Sequence, residues 1–397
     1  MESTYVEINL NNLESNLKTI MKKYNNYDYY IPVLKGDAYG HGEYIVKSVE
    51  KCNINYVAVA ELEEALNIRK YSKSINILLL EPINIKYIEV AIKNKLTITI
   101  HNLDYLKELI KVLNNKVKIH IKIDSGLGRL GFSDKYILKD AVDLINDNKY
   151  IELEGIYSHF ATLGIFDKKW DNQINNFKNI TSLIDLYSIP IRHMGSSITL
   201  LSHPKIDFCN ATRFGTIMYG YNISYKVDNN GLKNKLRILR NNINKKRFNI
   251  SETYINVDIG LLPCMNYYTS ILDIKLIKSG NTIGYGANTL IDKDTFIGII
   301  PIGYNNGLGT NTNNGYVVIN NKKYKILSIG MNMTFIELDN SISINDKVII
   351  LDNKNITIGT LSRFFNRTFH EMLLNIGKNN KRIYTKDNKI EYIENRW

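Results

Sequence analysis

Apolar positions in the first half of the chain switch repeatedly between a strand-like and a helical period. Short apolar runs predict buried strands at Tyr29 to Leu34, Tyr56 to Ala60, Ile75 to Leu80, Thr97 to Ile100, Lys118 to Asp124, Ile151 to Ser158, Pro190 to Met194 and Phe208 to Ala211. Between them lie segments of helical spacing, clearest at Glu61 to Lys70 and Asp134 to Asn146; Leu13, Leu17 and Ile20 share one helix face behind an apolar start at Thr4 to Leu10. Eight strands with helix-length connections, irregular only at the end, predict a parallel (β/α)8 barrel over 1–224. Beyond 250 the pattern becomes short strands between turn residues: Tyr254 to Asp258, Ile271 to Ile277, Phe296 to Ile300, Tyr316 to Asn320, Lys325 to Ile329, Phe335 to Leu338, Lys347 to Leu351 and Ile356 to Ile358. With one further helical stretch, Gly359 to Ile376, this predicts a mainly β C-terminal domain over 251–397.

The interval 225–250 fits neither pattern. It carries eight basic residues against Asp228 and supplies much of the formal charge of +12, which raises the question of nucleic acid. No aromatic platform interleaves those charges, so the expectation is a solvated basic linker or insertion and no nucleic-acid partner. The 397 residues, 44% hydrophobic, suffice for two cores. No apolar run approaches the roughly 18 residues a membrane span needs, and Met1 to Thr4 lacks the basic-then-apolar pattern of a signal peptide, so no membrane partner and a cytoplasmic location are expected. Cys52, Cys209 and Cys264 are widely spaced, which suggests neither a disulfide framework nor a metal site.

Candidate chemistry centres on Pro32-Val33-Leu34-Lys35-Gly36-Asp37-Ala38-Tyr39-Gly40-His41-Gly42, where a lysine leaves an apolar strand and meets a glycine-rich turn. A partly desolvated amine there has the lowered pKa that Schiff-base chemistry with an aldehyde requires; a surface lysine beside a turn is the other reading of the same residues. Barrel enzymes collect their reactive groups at the carboxyl ends of the strands, and Lys35, Arg129, His159, Ser196 and Arg213 all fall at or after such ends. The last two loops, Gly195-Ser196-Ser197 and Gly215-Thr216, have the amides and hydroxyls of a phosphate site.

The Lys35 segment resembles the lysine motif of alanine racemases, pyridoxal phosphate enzymes built of a barrel and a β domain. Similar segments follow in the family's order: Ile121 to Phe132, Gly155 to Ala161, Arg213 to Gly220, Tyr285-Gly286-Ala287 and Pro301 to Tyr304. The resemblance implies a racemase interconverting L- and D-alanine for cell-wall supply, with pyridoxal 5'-phosphate on Lys35 and Arg213 at the ring nitrogen. It implies Lys35 and Tyr285 as the two bases, Tyr285 being supported by His159 and supplied across a homodimer. Tyr39, Ser196, the amides of Gly215 and Thr216, and the position of His370 match phosphate contacts, with Ser197 the alternative hydroxyl one register on. Arg129 and Met331 match substrate contacts, and Lys122 matches a lysine that is carbamylated in many relatives. Asn332 stands where aspartate is usual, Gly195 where asparagine is common, and His370 where a pocket tyrosine is usual, which leaves serine or another small amino acid as an alternative substrate. A decarboxylase on the same fold and a non-catalytic cofactor carrier are the readings from other classes; the first lacks its cysteine motif here, and the second has no β domain.

Overall fold

The computed structural model describes residues 4–224, 252–311 and 314–395, with isolated positions between 225 and 251. The basic stretch expected as a linker therefore lies almost wholly outside the described residues. The chain forms two compact units, one of residues 14–35 and 46–262, the other of residues 1–13, 36–45 and 263–397.

Strand β1 (Tyr5–Asn9) belongs to the second unit, and the first unit is built on β2 (Tyr29–Pro32), β3 (Tyr56–Val59), β4 (Asn76–Leu79), β5 (Leu96–Ile100), β6 (Val117–Lys122), β7 (Ile151–Tyr157), β8 (Ile191–His193) and β9 (Ala211–Phe214). Strands β3 to β8 form one parallel sheet in sequence order, and β2 pairs in parallel with β9. A parallel bridge between Val33 and Ala58 joins β2 to β3. The Asn210 amide donates to Arg192 O at 3.1 Å, and the Arg192 amide donates to Asn210 Oδ1 at 2.8 Å, which joins β8 to β9. The eight strands thus close the expected barrel, and β3 and β5 are buried along their whole length, as strands covered on both faces must be. The eighth barrel strand starts three residues later than predicted. Phe208 is buried by stacking on Phe177 at 4.9 Å in the preceding loop, so its hydrophobicity marks a loop contact, while Ala211 to Phe214 pair with Tyr29 to Pro32.

The second unit carries β10 (Met265–Ser270), β11 (Asp273–Ile277), β12 (Thr282–Ile283), β13 (Thr289–Leu290), β14 (Thr295–Ile300), β15 (Tyr316–Ile319), β16 (Lys322–Ile329), β17 (Thr334–Leu338), β18 (Lys347–Leu351), β19 (Arg382–Lys386) and β20 (Lys389–Glu394). Ten strands form one sheet in the order β11-β14-β17-β16-β15-β18-β10-β1-β19-β20. The domain limits expected at 224 and 251 give way here. β1, with Val6 and Ile8 fully buried, fills the place between β10 and β19, so the N-terminal strand completes a sheet made from the other end of the chain.

Tyr254 to Asp258 is not a strand, and Ile356 to Ile358 leads into a helix. The helical stretch expected over Gly359 to Ile376 is two helices, Ile358–Phe365 and Phe369–Lys378. Asn366 takes a left-handed conformation, φ 49°, and Thr368 with Glu371 forms a capping box that starts the second helix. Among the described residues no helix is long and apolar enough to cross a membrane. All three cysteines are buried.

Candidate active site

Lys35 emerges beyond β2 with an exposed side chain, not the part-buried amine expected from its strand. The turn that follows it is left-handed at Gly36, Asp37, Ala38 and Tyr39, with φ of 66°, 55°, 52° and 54°. Three non-glycine residues in that region cost on the order of 1 kcal/mol each, so the surroundings must hold them. Asp37 forms an ion pair with Arg382, and Gly40 lies against the backbone of the helix Phe369–Lys378, where an added Cβ would fall 2.2 Å from Leu373 O. These contacts lie within the β unit, to which residues 36–45 belong.

The barrel unit gathers Lys35, Lys122, Arg129 and Arg213 into one positive field around His159. Burial and the neighbouring charges of Arg213, Lys122, Arg129 and Lys35 push His159 down to about 3, so its imidazole is neutral at pH 7. Arg213 is 4% exposed. Its Nη2 donates to Ser158 O at 2.7 Å and lies 3.4 Å from His159 Nδ1, while Nη1 donates to His193 Nδ1. The guanidinium carbon stands 5.0 Å over the Tyr157 ring. No described residue accepts from its Nε–H, so one donor of an otherwise immobilised cation remains for a ligand.

Lys122 is buried, with Nζ 4.5 Å over the Tyr157 ring. Burial, then the charges of Arg213 and Arg129, lower its pKa to about 7, which favours the uncharged amine. Arg129 is exposed, and the loop bearing it is wrapped on Asp124, whose carboxylate accepts from the amides of Gly126, Leu127, Gly128 and Arg129 at 2.9–3.0 Å. Burial pushes the Asp124 pKa up, but those four donors hold it below the usual range.

At the proposed phosphate end the two serines part company. Ser196 precedes the short helix Ser197–Ser202 and its hydroxyl lies 3.2 Å from Thr199 Oγ1, whereas Ser197 Oγ accepts from the Gly215 amide at 2.8 Å. The register one residue on therefore puts a hydroxyl beside Gly215 and the buried Thr216, and Ser196 is a helix cap.

The remaining candidates, Tyr39, Tyr285, Met331 and His370, belong to the β unit. The Tyr285 ring lies against Gly330, where an added Cβ would approach it to 3.2 Å, next to Met331; the two side chains are 78% and 48% exposed. Tyr39 and His370 form a tilted ring pair at 5.8 Å. Sequence reasoning missed His120, His193 and Glu154, polar groups buried inside the barrel. The available signal was the two-residue period that places Lys118, His120 and Lys122 on one face of β6.

Residues 8–223 match the family model "Alanine racemase, N-terminal domain" and residues 264–384 match "Alanine racemase, C-terminal domain". An alanine racemase of Borreliella burgdorferi is 34% identical over 95% of this chain and 96% of its own length. One from Halalkalibacterium halodurans is 30% identical over 99% and 97%. Among solved structures, the alanine racemase of Bacillus anthracis with bound L-Ala-P superimposes with a TM-score of 0.84 at 25% identity, covering 100% of this chain and 98% of that one. A histidine racemase from Leuconostoc mesenteroides shares the fold, with a TM-score of 0.81 at 19% identity over 97% and 98%.

Proposed function

The chain belongs to the alanine racemase family, and from that premise we propose that it interconverts L-alanine and D-alanine with pyridoxal 5'-phosphate held on Lys35. The observation that carries the reading is Arg213: a buried cation, fixed through both Nη atoms, with Nε–H turned to no described protein partner. An arginine keeps its proton at working pH, so Arg213 would hold the cofactor's ring nitrogen unprotonated, which would favour proton return over transamination.

The residues present fit the cofactor. The Ser197 hydroxyl, which accepts from the Gly215 amide beside Thr216, is left to donate to its phosphate, and Tyr39 is the phenol proposed for the same group. When bound, the cofactor supplies an electron sink that acidifies the α C–H of the amino acid. Lys35 then moves a proton on one face of the substrate and the Tyr285 phenol on the other, since one base cannot serve both faces. The exposure of Tyr285 suits a residue presented to a second subunit, so the working form is a homodimer with shared sites. Arg129 and the Met331 amide receive the substrate carboxylate. Lys122 carries a carbamate: burial and the charges of Arg213 and Arg129 favour its uncharged amine, which adds carbon dioxide and loses a proton to water, and the negative product pairs with Arg129.

Purified protein incubated with pyridoxal 5'-phosphate and L-alanine should form D-alanine, read by chiral chromatography, and Lys35→Ala should abolish both the bound cofactor's visible absorbance and turnover. A native protein that releases no D-alanine refutes the proposal. Serine remains the second substrate because His370 is smaller and more polar than a tyrosine and Asn332 is uncharged. Higher kcat/KM on serine, reversed by His370→Tyr, would favour it.

A further inference from the structure

Inside the barrel a row of polar side chains leads from Arg213 on β9 through His193 on β8 and His120 on β6 to Glu154 on β7. Both histidines are completely buried. The backbone makes room for them: an added Cβ at Gly155 would lie 2.4 Å from His120 Cε1, so only glycine at that point of β7 admits the ring.

The direction of every hydrogen in the row follows from its ends. A guanidinium only donates, so His193 Nδ1 accepts from Arg213 Nη1 and carries its own hydrogen on Nε2. That Nε2 lies 3.0 Å from His120 Nδ1, which must accept, so His120 also carries its hydrogen on Nε2. His120 Nε2 stands 3.4 Å from Glu154 Oε2 and 3.3 Å from Tyr56 Oη. Glu154 ends the row as pure acceptor: Oε2 receives Tyr56 Oη at 2.6 Å and Thr97 Oγ1 at 3.0 Å, and Oε1 receives Lys118 Nζ at 2.7 Å.

Arg213 makes no ion pair with a carboxylate among the described residues, yet a buried cation needs compensating charge. Two neutral imidazoles aligned head to tail present their negative ends to it and connect it to the Glu154 carboxylate. We propose that Glu154, His120 and His193 form a one-directional hydrogen-bond relay that acts as a remote counter-ion for Arg213 and holds its guanidinium in place for the cofactor's ring nitrogen. All three are positioning residues, and the inference rests on the proposed role of Arg213. Burial, and the nearby Arg213 charge, also depress the basicity of both histidines, in keeping with neutral rings.

The test has two arms. In cofactor-free protein labelled with 15N-histidine, imidazole spectra at pH 7 should show His193 and His120 both neutral with hydrogen on Nε2; a ring protonated on Nδ1, or on both nitrogens, overturns the relay. This arm needs no variant, so it stands even if a substitution prevents folding. In the second arm, Glu154→Leu, which removes both acceptor and charge, should weaken pyridoxal 5'-phosphate binding roughly tenfold and lower kcat with KM for alanine unchanged, and Glu154→Gln, which keeps an acceptor but no charge, should weaken binding roughly threefold, a glutamine variant equal to native overturning the counter-ion role. Native affinity and an unchanged visible spectrum in Glu154→Leu overturn the positioning role. Failure of the native protein to bind the cofactor would overturn the role of Arg213, and the positioning role with it, while the 15N spectra would still decide the relay by themselves.

Discussion

Glu43→Gln probes the clasp that holds the Lys35 turn. Three carboxyl groups, Asp37, Glu43 and Glu394, crowd one guanidinium: Arg382 pairs with Asp37 and donates from Nε to Glu394 at 2.9 Å, and Tyr384 Oη donates to Glu394 at 2.7 Å. His41, buried beside them, is pushed down to about 3 by desolvation and brings no charge. One cation cannot compensate three anions, and Glu43 is the group that stays protonated, raised from 4.5 to about 8 by burial and by Asp37. Below pH 4.5 the protonated form prevails in both folded and unfolded chains. Between 4.5 and about 8 the unfolded chain has lost a proton that the folded one keeps, so stability falls as pH rises, by about 1.4 kcal/mol per unit. Over pH 5 to 8 that amounts to about 4 kcal/mol. Glutamine keeps an N–H donor for Asp37 and cannot ionise, so Glu43→Gln should remove this slope and gain on the native protein with each step in pH. Urea unfolding of both proteins at pH 5, 6.5, 8 and 9, compared as differences, reads the effect without the other titrating groups. Parallel pH profiles for native and variant would refute the reasoning.

Tyr285→Phe should leave cofactor binding intact and slow α-proton exchange, with solvent deuterium entering one enantiomer's product more slowly than the other's; symmetric incorporation argues against a phenol on one face. Lys122 should give a carbamate carbon signal after incubation with 13C-bicarbonate, lost in Lys122→Gln, and its absence in the native spectrum sinks that assignment. Gly155→Ala forces a methyl against the His120 ring and should lower stability by about 1–3 kcal/mol in thermal or urea unfolding; an unchanged midpoint would mean the ring has room to move.

Much of the barrel could be read along the chain because parallel strands buried on both faces are nearly continuous apolar runs, and Lys35, Arg129, His159, Ser196 and Arg213 could be set at or after strand ends by counting, whereas Tyr285, Met331 and His370 were named only through the resemblance. Phe208 misled because a loop residue stacked on Phe177 is as apolar as a strand residue. The choice between Ser196 and Ser197 turned on one residue of register, and it is the Ser197 hydroxyl that meets the Gly215 amide. Where Lys35 was expected to be desolvated, the structure leaves it exposed and puts the desolvation on Lys122, His159 and Arg213 instead.

Periodicity, being local, was enough to predict a barrel and a β domain, and the ordered short motifs carried the resemblance to a family. Partnership was not local. β1 joins strands β10 and β19, and the turn after Lys35 is clasped by Arg382, because backbone groups and buried charges take whatever partner the folded chain brings near, however distant in sequence. The charge of each group inside the barrel was likewise decided only in three dimensions, since it depends on water excluded and cations gathered by neighbours that no spacing in the sequence reveals.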